Sequence, residues 1–142
     1  AYIFRNDDNV FTFSIHQENN YPIKQKSDLD IGLSDYIGDF IYLNHLKKTI
    51  PEIMDSFKPE IVIYLAGADP YKYDRLGGLS LTINGLMQRD EFVMNECINR
   101  NIPVAVLLAG GYAVNTEDTV TIHFNTCRIA YNLWKTLMTQ AK

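Results

Sequence analysis

Apolar runs that stop abruptly at Gly or Asp recur along this chain, most clearly Ile61-Val62-Ile63-Tyr64-Leu65 and Val104-Ala105-Val106-Leu107-Leu108. Runs of that length, rich in β-branched residues, predict buried strands. Val10-Phe11-Thr12-Phe13-Ser14-Ile15-His16 alternates in part and predicts another strand, with a short edge strand from Leu29 to Leu33. Ser34-Asp35 offers a cap for a helix whose stripe runs through Tyr36, Ile37, Phe40, Ile41, Leu43, Leu46 and Ile50. Pro51 is expected to kink or restart that helix before Ile53, Met54 and Phe57. Further helices are predicted from about Thr82 to Asn99, and from Thr116 to about Met138, the latter carrying Ile122, Ile129, Leu133, Trp134 and Leu137.

Strand, helix and strand in that order imply parallel crossovers, so the fold class is α/β, a mostly parallel sheet flanked by helices. No internal repeat, linker or low-complexity stretch divides the 142 residues, which suffice for one core. With 13 Lys and Arg against 17 Asp and Glu, a net charge of −4 and no basic block, direct nucleic-acid binding is excluded. No apolar run approaches the roughly 18 residues that span a bilayer, so no membrane association is expected. Cys97 and Cys127 fall in helix-like segments and read as two buried thiols in a reducing compartment. Ala1-Tyr2-Ile3-Phe4 reads as extended apolar chain rather than a leader, and an excised or truncated polypeptide is expected.

In an open parallel sheet, ligands bind beyond the carboxyl ends of the strands, where Ala66-Gly67-Ala68-Asp69-Pro70 and Ala109-Gly110-Gly111-Tyr112 would face one crevice. Asp69 is placed to bind a hard or borderline cation, or else to cap the Pro70 turn through its own backbone. Gly110 and Gly111 allow close approach to a ligand; Tyr112 is either a site residue or a tyrosine packed after a turn. His16, His45 and His123 read as structural. Neither glycine loop has the Gly-x-Gly-x-x-Gly spacing or a phosphate-loop lysine, which argues against nucleotide binding.

Taken in order, Thr12-Phe13-Ser14-Ile15-His16-Gln17, Asn20-Tyr21-Pro22, Ala66-Gly67-Ala68-Asp69, Asp74-Arg75-Leu76-Gly77-Gly78-Leu79, Arg89-Asp90 and Gly110-Gly111-Tyr112 resemble the zinc-dependent histone deacetylase and acetoin-utilisation superfamily. The class IV histone deacetylases and their bacterial relatives are nearest. The resemblance implies an arginase/deacetylase-like three-layer fold, present in part, with residues 1–142 as the carboxyl-terminal part of a single catalytic domain. It implies a hydrolase that removes acetyl, or longer acyl, groups from lysine or another amine, so the substrate is an acylated protein or a small acetylated amine.

By the same resemblance Asp69 is a zinc ligand and Tyr112 the hydroxyl that hydrogen-bonds the acyl carbonyl and stabilises the developing oxyanion. Ser14 and Ile15 would give oxygens to a monovalent cation, usually potassium, and the carbonyls of Phe4, Asp7 and Val10 would bind a second such ion. Tyr21 and Leu76, with Gly110 and Gly111, would line the acyl-lysine tunnel; a turn tyrosine and a core leucine are the plain readings of the first two. Asp74 and Arg75 are expected to brace the loop around Asp69. The family's Asp-x-His, second Asp and catalytic His pair would precede Ala1. This fragment alone is therefore expected to bind zinc weakly or not at all and to be inactive.

A cytoplasmic location is expected, or nuclear in a eukaryote. Two rival readings stay open: a ureohydrolase such as arginase, whose Asp-rich strand-end motifs are missing here, and a non-catalytic α/β interaction module. Strands without partners would leave an open sheet edge, through which self-association is expected.

Overall fold

The computed structural model describes residues 1–140. Seven elements follow one another: β1 (Phe13–Gln17), β2 (Leu29–Leu33), α1 (Asp39–Phe57), β3 (Val62–Gly67), α2 (Ile83–Asn99), β4 (Val104–Ala109) and α3 (Thr116–Gln140). The strands pair in parallel, β1 with β2 from Phe13↔Leu29 to Gln17↔Leu33, and β3 with β4 from Val62↔Val104 to Gly67↔Ala109. They form two separate two-stranded sheets. Apolar patterning specifies which faces are buried but not which edges meet, so the division into two pairs is not legible in the sequence.

Two helix starts show how local chemistry decides a boundary. Thr82 caps α2, its Oγ1 accepting the Gly85 N–H at 2.9 Å, and is itself held by the Asp39 carboxylate at 2.8 Å from its N–H and 2.6 Å from its hydroxyl. By contrast Ser34-Asp35 does not cap α1. Tyr36 adopts a left-handed φ of 64°, Asp35 accepts the Gln17 amide at 2.6 Å, and the helix begins at Asp39. Pro51 lies inside an unbroken α1 rather than restarting it. Leu46, Ile50 and Met54 are buried on either side of it, and that burial, about 1.5–3 kcal/mol per large side chain, offsets the lost backbone hydrogen bond. Phe40 and Ile41, assigned to the buried stripe from sequence, are exposed.

Both sheets rest on one core. Leu46, Ile50 and Met54 of α1, Leu86, Val93 and Cys97 of α2 and Ile122 of α3 form a continuous cluster, and Phe13, Ile15, Val62, Tyr64 and Val104 pack against it. Only this face of the β3–β4 pair is covered: Ile63, Leu65 and Leu107 on the other face are 63%, 64% and 47% exposed. Trp134 and Leu137 of α3 are exposed as well, and Cys127 is exposed whereas Cys97 is buried, so one of the two expected buried thiols is open. No helix among the described residues is long and apolar enough to cross a membrane.

Candidate functional site

The β3–β4 ladder ends at Gly67↔Ala109 and one further hydrogen bond, Ala68 N–H to Ala109 O at 2.9 Å; beyond it the chains part. Asp69 and Gly110 are the first residues on either side of the opening. Gly110 has a φ of 59°, and a Cβ added to it would lie 2.9 Å from Asp69 Oδ1. Only glycine both adopts that backbone and leaves the carboxylate its place. Asp69 keeps an exposed edge, yet the protein around its carboxyl makes it easier to protonate: partial desolvation pushes its pKa up, a backbone hydrogen bond at Asp69 itself works the other way, and the Asp74 charge adds to the rise.

Asp74 joins the loop after β3 to the turn after β4. Its Oδ1 accepts the N–H groups of Leu76 and Gly77, both at 2.8 Å, and its Oδ2 accepts that of Tyr112 at 2.5 Å. Arg75 N–H donates to Tyr112 O at 3.0 Å, and the Arg75 guanidinium reaches Val114 O at 3.2 Å. The expected bracing by Asp74 and Arg75 is thus made through backbone groups.

A crevice of about 150 Å³ opens beside Asp69, lined by His16, Tyr21, Lys24, Gly77 and Gly78 among others. Asn20 organises its rim: its amide donates to Gln17 Oε1 at 2.7 Å and Leu76 O at 2.8 Å, and its oxygen accepts the Tyr21 N–H at 2.7 Å. Tyr21 and Leu76 are therefore tied to one residue although they stand 55 positions apart, at 21 and 76. Leu76 is not part of a core but 63% exposed, as is Tyr112, and neither is part of the crevice lining.

The remaining candidates sit apart from this crevice. Ser14 and Ile15 lie on β1, with Ser14 Oγ 2.7 Å from His16 Nδ1. Phe4 and Asp7 each accept a backbone N–H from three residues ahead, at 2.9 and 3.0 Å, in a run of turns that ends at Val10. Their carbonyls keep a second lone pair.

Among the described residues no three His, Cys, Asp or Glu side chains converge to hold a metal ion. Catalytic zinc needs three protein ligands and an open position. The glycine-walled carboxylate of Asp69 fits one ligand of such a set.

Two contributors were not legible as site residues. His123 Nε2 lies 3.1 Å from Gly110 O, so α3 grips the glycine turn across 13 residues of sequence. Arg89 and Asp90 were visible only as a motif; the structure buries them directly behind β3. Spacing alone carries no signal for either contact.

Residues 1–127 match the profile described as Histone deacetylase domain. An uncharacterized protein of Picosynechococcus sp. is 42% identical over 135 residues, which cover 94% of this chain and 45% of that one. Histone deacetylase B of Dictyostelium discoideum is 34% identical over 134 residues, covering 84% and 31%. Among solved structures, the HDA15 HD domain aligns with a TM-score of 0.73 over 89% of this chain and 40% of that one, at 22% identity, a likeness of fold. The chain thus spans less than half the length of each of these relatives.

Proposed function

Because the chain belongs to the histone deacetylase family, we propose that it forms the carboxyl-terminal part of the catalytic domain of a zinc-dependent hydrolase. The reaction is removal of an acetyl or longer acyl group from lysine or another amine. The observation that carries the reading is the convergence of Asp69 with the Gly110-Gly111-Tyr112 turn: an added Cβ at Gly110 would come within 2.9 Å of the Asp69 carboxylate, and Asp74 hydrogen-bonds the Tyr112 backbone.

Within that reading Asp69 is one of the ligands that would hold zinc; the bound ion would polarise the acyl carbonyl and lower the pKa of a water molecule. Tyr112 contributes a phenol on the open side of the turn, free to donate to the carbonyl oxygen as negative charge grows on it. Gly110 keeps the wall beside Asp69 low enough for the substrate to approach, and Gly111, where an added Cβ would meet Thr119 and Ala68, lets the turn pack closely beside it. Tyr21, at the crevice next to Asp69, would flank the aliphatic stem of the acylated amine. Ser14 and Ile15 are the proposed donors to a potassium ion, with Phe4, Asp7 and Val10 for a second.

The test uses the complete protein that carries this chain. Acetate release from an acetyl-lysine peptide and from an acetylated polyamine is measured as purified, after chelation, and after zinc is restored. Loss on chelation and recovery with zinc is expected. Zinc-loaded, folded protein that hydrolyses neither would overturn the proposal, and the relative rates assign the substrate class.

A further inference from the structure

Behind the strand end that leads to Asp69 lies a buried ion pair with no part in the roles assigned above. Arg89 and Asp90, adjacent on α2, are 3% and 1% exposed. Charges are retained at such depth only where partners offset them, and here the two face each other, Arg89 Nη2 lying 2.7 Å from Asp90 Oδ1 although that nitrogen makes no hydrogen bond among the described residues. Asp90 Oδ1 accepts Arg89 Nε at 2.8 Å and the Tyr64 hydroxyl at 2.6 Å, and Oδ2 accepts the Thr126 hydroxyl at 2.6 Å. The carboxylate therefore gathers β3, α2 and α3 at one point.

The guanidinium has a different target. Arg89 Nη1 donates to Gly67 O at 2.6 Å. Gly67 is the last residue of β3 and stands two positions before Asp69; its register partner Ala109 is the last residue of β4, after which Gly110 turns away at φ 59°. Because the Ala68 N–H bonds Ala109 O, the Gly67 carbonyl is one residue out of phase with the ladder and points toward the other edge of β3, where no strand donor meets it among the described residues. Arg89 supplies that donor at the point where the two chains separate to open the crevice. Because Asp90 holds the guanidinium plane, the donor is fixed in direction as well as in place.

We propose that Arg89 is a positioning residue of the site: braced by Asp90, it fixes the Gly67 carbonyl at the parting of β3 and β4 and so sets where the Asp69 carboxylate stands for a divalent cation. Asp90, Tyr64 and Thr126 hold Arg89 and do not themselves approach the crevice. The inference rests on the reading of Asp69 as a metal ligand.

Its test is made in the complete protein with two variants. Arg89→Lys keeps a positive charge beside Asp90 but replaces the rigid fork by a single ammonium. Arg89→Met/Asp90→Leu removes both charges together, a replacement that buried pairs commonly tolerate, and guards against a variant that fails to fold. Zinc affinity is read by competition with a chromophoric chelator, and backbone hydrogen exchange is followed at residues 66–70 and, as control, through α1. In both variants zinc binding is expected to weaken by about 10–100-fold, with faster exchange confined to 66–70 and an unchanged circular dichroism spectrum. A purely structural role would instead loosen α1 and the strand end alike. Folded variants with zinc affinity within about twofold of the parent and unchanged exchange at 66–70 would overturn the inference while leaving the proposed function standing. A parent protein that binds no zinc overturns the functional reading and the metal-positioning role together, whatever the exchange shows.

Discussion

Asp74 Oδ2 accepts the backbone N–H of Tyr112 at 2.5 Å while its Oδ1 holds the N–H groups of Leu76 and Gly77. One carboxylate thereby fixes the loop after β3 to the turn after β4, and with it the backbone that carries Tyr112. Asp74→Asn replaces one acceptor oxygen by an amide donor, which faces either the Tyr112 N–H or the Leu76 and Gly77 pair and satisfies neither. Since Asp74 is buried, the expected cost is about 1–3 kcal/mol. Thermal unfolding by circular dichroism checks it; an unchanged midpoint would show that the bridge contributes nothing.

Asp69→Asn and Tyr112→Phe separate chemistry from folding. Tyr112 is 63% exposed, so loss of its hydroxyl should change stability by less than about 0.5 kcal/mol. Turnover by the complete protein should nevertheless fall by about 10²–10³ on loss of an oxyanion-stabilising donor. Asp69→Asn should remove zinc binding together with turnover and leave the circular dichroism spectrum intact. Near-normal kcat in either folded variant would sink the role assigned to it.

The sequence was most informative where a signal is local. The start of α2 near Thr82, the apolar runs of β3 and β4, and Asp69 and Tyr112 at their ends all depend on neighbours within a few positions. Pairing partners and depth depend on distant residues. Arg89 and Asp90 are charged residues within a helix, a pattern that ordinarily marks a solvated face; only Tyr64, Gly67 O and Thr126, from three other points of the chain, make their burial tolerable. Likewise nothing near Ser34-Asp35 shows that Gln17 will claim Asp35.

Alkaline pH should weaken the fold through two buried groups. Burial pushes the Cys97 thiol up to about 11 and carries the Tyr64 phenol well above its usual value. Both folded pKa values exceed the unfolded ones, near about 8.5 and about 10, so their stabilising contributions are complete below those values and are lost as pH rises through the folded pKa values. The melting temperature should fall from about pH 9 upward, and less steeply in Cys97→Ala. A midpoint flat to pH 11 in the parent, where the Cys97 thiol would be half ionised, contradicts this account. Reactivity gives a second reading: near neutral pH iodoacetamide should label exposed Cys127 in the native chain and Cys97 only after denaturation.

The bare face of the β3–β4 pair sets the behaviour of the 142-residue chain on its own. Ile63, Leu65 and Leu107 stand exposed on it from neighbouring strands, together with strand edges left unpaired among the described residues on both two-stranded sheets. A contiguous apolar patch beside open backbone donors and acceptors favours association with a second copy. Sedimentation of the isolated chain should show dimers or larger species, and Ile63→Thr/Leu65→Thr, which puts a β-branched strand former at both positions but removes apolar surface, should shift it toward monomer. If the parent chain sediments as a monomer at micromolar concentration, the exposed face is not an association surface. If it associates and the double variant does so equally, the strand edges rather than the apolar side chains carry the contact.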